Sequence, residues 1–267
     1  MPFCFCPLRS GSSGNALFVQ AGNFRVLVDA GLSGRAVERA LAEIGVTPDT
    51  LSGILVTHEH SDHIQGVGVL SRRFHLPVYA TEGTWAAMES KPGIDRIALA
   101  NRRAFRPGQD FYVGDLAVCP FSIPHDAADP VGFSLLYGGR KLCIATDLGH
   151  VSPDWMQALS GADLVLLEAN HDPDMLRATP RYSAALKKRI LGRRGHLSNG
   201  ESGEALVRLC RDGLRCVVLG HLSAETNSPE LAFETVCAAL RAAGAEPGDD
   251  VRVDMAWRER MGRFYAL

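Results

Sequence analysis

The apolar residues of this chain fall into short runs separated by turn residues, and most of the runs have the length of a strand. NALFVQ and FRVLVDAG are β-rich, and Ala21-Gly22-Asn23 between them supplies the turn chemistry of a hairpin. RAVERALAEI then spaces its apolar residues at helical intervals, with Ser33 as N-cap and Gly45 as stop. GILVTH is apolar without alternation, the pattern of a strand covered on both faces. Further along come a helix from Ile64 to Phe74, a strand at PVYA and a helix around Trp85. DFYVGDLAVCPFSIP and VGFSLLYGGRKLCIATD read as consecutive strands, with Gly138-Gly139 at a hairpin tip. ADLVLLEAN is strand-like, 181–192 and 199–211 are helical, RCVVLGH is a strand and 229–243 a helix. The sum is an α/β chain with mixed sheets.

One regularity runs through these strands. VLVDAG, ILVTHEH, LCIATD, LVLLEAN and CVVLGH are each apolar until their last positions, which are Asp, His or Glu. Open α/β folds gather their chemistry at strand ends, so one polar edge is expected. Composition adds limits. No Ser/Gly-rich or Pro-rich tract, charge block or repeat divides the 267 residues, so one domain over 1–267 is expected, large enough for a substantial core. Lys plus Arg number 28 against 30 Asp plus Glu, a net charge of -2, which excludes a polybasic binder and makes any attraction for an anion local. MPFCFCPLRSGSSGN has neither a basic start nor a long apolar stretch, and nowhere are there eighteen apolar residues in a row. A cytoplasmic chain without membrane spans is the expectation. The seven cysteines sit mostly as single small hydrophobes, and Cys4 and Cys6 lack a partner cluster, so buried thiols are expected instead of disulfides or a thiolate site.

The densest chemistry is Thr57-His58-Glu59-His60-Ser61-Asp62-His63, directly after a buried run. Imidazole and carboxylate suit zinc, manganese or iron, and four such groups within six residues cannot all reach one ion without strain. Two adjacent ions resolve that. HxHxDH after a hydrophobic strand resembles the hallmark of the metallo-β-lactamase superfamily, and further markers follow in order: Asp29 in VLVDAG, His125 in SIPHDA, Asp147 in CIATD and His221 in VVLGHLS. The resemblance covers essentially the whole chain and implies an αββα four-layer sandwich with two mixed β-sheets. It assigns His58, His60 and His125 to one ion, Asp62, His63 and His221 to a second, and Asp147 to both, with Asp29 propping up the ligand loop and Asp62 also serving catalysis. Two divalent ions, manganese or zinc, are thereby implied, with an activated water between them. Similar di-iron redox proteins carry Glu where this chain has His60, which favours hydrolysis.

GHLS occurs twice, around His196 and around His221. With His221 taken as a ligand, His196 is left to contact substrate and to protonate a leaving oxygen, beside a helix opening at Ser198 or Asn199. It follows RYSAALKKRILGRRG, whose Arg181, Lys187, Lys188, Arg189, Arg193 and Arg194 face no acidic residue; the run is either a phosphate contact or a solvated helix face. SGSSGN, with Ser12, Ser13 and Asn15, is either a phosphate-holding nest or a plain turn. His171 is a substrate contact or a hydrogen-bond partner behind the site, and Asp172 before Pro173 a helix cap. His150 is a substrate contact or a cap, and His75 is structural. SGSSGN, THEHSDH, PHDA, LEANHD, RIxxxxGHLSN and GHLSxxxNxPE together resemble the YycJ/WalJ branch of the superfamily, small phosphodiesterases regarded as 5'-to-3' DNA exonucleases. That resemblance implies a DNA substrate and a role in repair or genome maintenance. The branch tends to read TDTGY where this chain reads Thr146-Asp147-Leu148-Gly149-His150. A small-molecule hydrolase of cyclic phosphates or thioesters, and a non-enzymatic metal-containing regulatory protein, are the alternatives.

Overall fold

A computed structural model describes residues 2–267. Among them, fourteen strands form two seven-stranded sheets. The first sheet contains β1 (Phe3–Arg9), β2 (Ala16–Ala21), β3 (Phe24–Val28), β4 (Gly53–Leu55), β5 (Val78–Thr81) and β6 (Arg102–Phe105), neighbours in that order. The second contains β7 (Phe111–Val113), β8 (Leu116–Ser122), β9 (Val131–Tyr137), β10 (Arg140–Ala145), β11 (Leu164–Glu168), β12 (Cys216–Gly220) and β13 (Arg252–Met255). β14 (Tyr265–Ala266) returns to the first sheet beside β1. The helices are α1 (Gly34–Ala42), α2 (Ser61–Ile64), α3 (Val67–Phe74), α4 (Glu82–Met88), α5 (Pro153–Leu159), α6 (Pro173–Ala178), α7 (Ala184–Ile190), α8 (Asn199–Arg211) and α9 (Pro229–Ala242).

Three apolar layers explain why so many strands are apolar throughout. Successive side chains of a strand point to opposite faces, and here both faces are covered. Val19 and Val28 join Phe133, Ile144 and Leu166 between the two sheets. Their neighbours Phe18 and Leu27 point the other way, onto Val37 and Leu41 of α1 and Leu70 of α3. On the far side of the second sheet, Val165, Leu167 and Leu219 pack against Trp155 of α5, Leu206 of α8 and Val236 of α9. The result is the expected αββα sandwich. At the hairpin tip Gly138 and Gly139 have φ of 59° and 79°, the left-handed pair that a two-residue turn between twisted strands requires.

Strand direction positions the site. β3 to β6 are mutually parallel, as are β10 to β13. β1 runs with β3, and β8 with β10, because each pair is separated by one antiparallel neighbour. The carboxyl ends of β1, β3, β4, β8, β10, β11, β12 and β13 consequently end along one side of the sandwich.

Some elements differ from the sequence expectation. The helix expected over Ile64 to Phe74 is interrupted at Gly66 into α2 and α3, and the one expected over 181–192 shrinks to α7. β1 is not among the expected strands; Pro7 within it is tolerated because it lies past the last rung with β14, at Phe5 and Tyr265. No helix among the described residues is long and apolar enough to cross a membrane. All seven cysteines are free, and burial pushes the Cys6 thiol up to about 12, which suits a packing residue and not a thiolate ligand.

Candidate metal centre

The site begins with a carboxylate that organises a loop. Asp29 follows β3 and accepts hydrogen bonds through Oδ1 from the Thr57 amide (2.9 Å) and through Oδ2 from Thr57 Oγ1 (2.9 Å). Oδ2 also faces His63 Nδ1 at 2.7 Å. Asp29, Asp147 and His221 each leave their strand in the left-handed region, with φ of 61°, 61° and 56°. That conformation is uncommon outside glycine and is tolerated best by Asn, Asp and His; such strain collects where a side chain must be aimed. Neighbouring loops are laced together by backbone bonds: Asn15 N to Asp62 O (2.8 Å), Gly31 N to Asn15 O (2.7 Å) and Ala30 N to His63 O (2.9 Å). A Cβ on Gly31 would lie 1.6 Å from Asp62 O, so only glycine permits this approach.

All seven expected ligands converge. The ligand atoms of His58, His60 and His125 lie within 4.8 Å of one another, and so do those of Asp62, His63 and His221. Asp147 stands between the two groups, with Oδ2 3.3 Å from His63 Nε2 and Oδ1 3.6 Å from Nε2 of both His125 and His221. The remote nitrogen of each key ring is already engaged. Nδ1 of His58 meets Thr57 Oγ1 at 3.0 Å, Nδ1 of His63 meets Asp29, Nδ1 of His125 meets Gly195 O at 3.2 Å, and Nδ1 of His221 meets Glu168 Oε1 at 2.9 Å. Such outer partners select the tautomer that leaves Nε2 with its lone pair for an ion. Accordingly, His58 Nε2, His221 Nε2 and Asp147 Oδ2 are buried without any hydrogen-bond partner. Buried polar atoms left this way are costly, and divalent cations fit them: the donor set is imidazole and carboxylate, as zinc and manganese sites use.

The electrostatics agree. Burial disfavours charge on Asp62, yet the adjacent His221 and His63 imidazoles hold its carboxyl well below the usual range. Burial likewise opposes charge on Glu168, but the charge and hydrogen bond of His196, then His221, pull it far down. His221 is buried too, but Asp147, Asp62 and Glu168 raise it to about 10, and Asp29 with Asp147 lifts His63 in the same direction. His58 is lowered, first by burial and then by neighbouring imidazoles. The cluster thus combines anionic carboxylates with a neutral His58, a field suited to cations.

Glu168 is the residue that the sequence reading underrated. It is fully buried at the end of β11. Oε1 accepts from His196 Nδ1 at 2.7 Å and from His221 Nδ1 at 2.9 Å; Oε2 accepts from the amides of Leu148 (2.8 Å) and Leu197 (3.2 Å). One carboxylate therefore orients both GHLS histidines. The signal existed, because LVLLEAN ends on an acid like its fellow strands. His196 itself is 18% exposed in its side chain, with its ring 5.1 Å from that of His125 and 5.4 Å from that of His221.

The expected substrate contacts divide. Ser12 and Ser13 are exposed and line a cavity of about 500 Å³ that reaches Asp62. Asn15 departs from the expectation: it is 2% exposed, and its amide is spent on Gly11 N (3.0 Å), Gly11 O (3.2 Å) and Asp62 O (3.3 Å), so it shapes the loop instead of facing solvent. His171 is 1% exposed, outside the ligand groups, with neither ring nitrogen partnered. Asp172 caps α6 as expected. The basic run is not free of acids. Arg181 pairs with Glu225 at 2.9 Å and Arg189 with Asp126, while Arg194 donates to His125 O (2.8 Å) and Ala127 O (3.1 Å). Residues distant in sequence satisfy them, so this segment braces the His125 loop. His150 spends its ring on Arg193, with Nδ1 2.9 Å from the carbonyl and Nε2 3.1 Å from the guanidinium.

Comparison with known proteins agrees with this geometry. Residues 24–221 match the family model described as a beta-lactamase superfamily domain. The chain belongs to the beta-lactamase superfamily. Within that superfamily it is 40% identical over 251 residues to the exodeoxyribonuclease WalJ of Streptococcus pneumoniae, covering 94% of this chain and 93% of the relative. It is 41% identical over 245 residues to the exodeoxyribonuclease YycJ of Bacillus anthracis, covering 92% of each. The fold is shared with the metallo-beta-lactamase fold protein YhfI of Bacillus subtilis, at TM-score 0.73 and 18% identity over the full length of both chains.

Proposed function

We propose that this chain is a metal-dependent exodeoxyribonuclease that hydrolyses DNA phosphodiesters from the 5' end, in the cytoplasm and in the service of DNA repair. His58, His60 and His125 would hold one ion, Asp62, His63 and His221 a second, with Asp147 shared, manganese or zinc being compatible with these donors. Bound there, the ions supply an activated water and stabilise the charge that develops at phosphorus. The observation that carries the reading is the His196–Glu168 pair. His196 Nδ1 donates to Glu168, so Nε2 is the ring atom left for substrate. As water adds to phosphorus and the P–O3' bond breaks, His196 Nε2 delivers a proton to the departing 3' oxygen. An alkoxide needs that proton, whereas a thiolate, with a pKa of about 8.5, leaves without one. A positioned acid therefore favours phosphodiesters over thioesters.

Two relatives of matching length are exodeoxyribonucleases, which supports DNA as the substrate. The test is digestion of 5'-labelled and 3'-labelled DNA by metal-free protein resupplied with manganese or zinc in parallel. Early release of labelled mononucleotide from the 5'-labelled strand is expected. Intact DNA beside rapid hydrolysis of a thioester or cyclic phosphate would overturn the reading.

A further inference from the structure

The segment from Ala256 to Phe264, AWRERMGRF, has no role in the centre described above. Its place is set by topology. β13 runs parallel to β12, whose end carries His221, and β14 starts back antiparallel to β1 from the same side. The chain between them must therefore cross the gap between the sheets along the edge where the site lies. It is fastened there. Ser10 N donates to Trp257 O at 2.9 Å, Ser10 Oγ accepts from the His221 amide at 3.0 Å, and Arg258 Nη2 donates to Leu222 O at 3.2 Å.

A cavity of about 540 Å³ opens at this junction, lined among others by Ser10, Leu222, Ser223, Trp257, Arg258 and Arg260. Such a volume is within the range of small-ligand sites. Two arginines stand against one acid, Glu259. Trp257 is half-buried, and the exposed Arg260 guanidinium lies over its ring at 4.0 Å. Arg258 Nε is buried without a partner, an unmet donor at the wall. The Ser223 oxygen and the nearby amide, by contrast, are already engaged. Ser223 Oγ accepts from the Glu225 and Thr226 amides (3.3 and 3.2 Å), and Asn227 is bonded to Asn199 and Ala169 O.

From these observations, and resting on the exonuclease reading above, we infer that the Trp257 cavity is a nucleotide subsite. It takes an unpaired nucleotide of the DNA strand next to the cleaved phosphodiester, its base stacked on Trp257 and its phosphate paired with Arg260. An aromatic platform beside cations is how single-stranded nucleic acid is held without sequence readout, since every base has a π-face. Stacking on an indole face does not depend on which base is presented, so the subsite accepts all four bases.

The test separates this subsite from the reaction itself. Trp257→Ala, Trp257→Phe and Arg260→Ala are compared on an oligonucleotide and on bis(p-nitrophenyl) phosphate, a diester with no neighbouring nucleotide. For Trp257→Ala the loss in kcat/KM on DNA exceeds that on the small diester roughly ten- to a hundredfold, and Trp257→Phe recovers part of it. Independently of turnover, a phosphorothioate oligonucleotide titrated into metal-free protein quenches tryptophan emission in wild type and much less in Trp257→Phe. Equal losses on both substrates, or unchanged quenching in Trp257→Phe, would overturn the inference. Wild-type protein that hydrolyses the small diester but leaves DNA intact would instead sink the exonuclease reading, and the titration would still decide the subsite.

Discussion

Replacing Glu168 with Gln tests the centre at its least visible point. The change keeps size and removes one acceptor. Glu168 receives four donors: two imidazole Nδ1 groups at 2.7 and 2.9 Å, and two backbone amides at 2.8 and 3.2 Å. Whichever way the Gln amide turns, its NH₂ meets two of them. Each unmatched buried donor costs about 1–3 kcal/mol, so the variant loses on the order of 2–6 kcal/mol if the rings keep their protons. Should the rings move their protons to Nε2 to escape the clash, His221 loses the lone pair that an ion needs and His196 loses the Nδ1 hydrogen bond that orients it. Both routes damage function. We expect metal affinity to fall roughly ten- to a hundredfold, as when an outer partner of a ligand is removed. Turnover at saturating manganese should fall by about 10²–10⁴, the range of a lost general acid. Chelator competition measures the first, single-substrate kinetics the second, and a melting curve the stability. Metal affinity and kcat both within about twofold of wild type would refute the argument that this carboxylate sets the tautomers.

Other expectations follow from the same geometry. His196→Ala should keep nearly full metal content by elemental analysis while turnover drops about 10²–10⁴, whereas Asp147→Ala should lose metal; equal metal loss in both would erase the division of roles. Metal loading should release protons. His221 is raised to about 10 and His63 is raised as well in the metal-free protein, so near neutral pH both hold protons that an ion must displace. Loading then strengthens as pH climbs toward about 10, and its calorimetric heat varies with the buffer's ionisation enthalpy; a heat independent of buffer would contradict this. In the metal-free protein the sign is opposite: a raised His221 stabilises the fold below its unfolded pKa, and that contribution disappears as pH rises through about 10. Gly31→Ala forces a Cβ to 1.6 Å from Asp62 O, so it should lower the melting temperature and metal affinity together, whereas Gly45→Ala, with open space around its Cβ, should leave metal affinity alone.

The candidate ligands were legible because such chemistry is written locally: an apolar run, then Asp, His or Glu, five times over. The layered fold was legible too, since strands covered on both faces lose polar alternation. The roles of the basic run and of Asn15 were not. Arg181 and Arg189 lack acids nearby in sequence, but Glu225 and Asp126 reach them from other loops. Asn15 looked available, but the loop carrying Asp62 closes over it. A local pattern states which groups are present, not which remain unpaired after folding.

Tertiary structure alone separates the two members of the repeat. His196 and His221 sit in identical GHLS contexts, and nothing local separates them. What does is a third element: β11 delivers Glu168 between them, with one ring left 18% exposed in its side chain and the other almost wholly buried beside Asp147. Sequence by itself determined the donor atoms and the strand ends that carry them. Depth, tautomer and access depend on what packs around each ring, and only the folded chain brings those neighbours together.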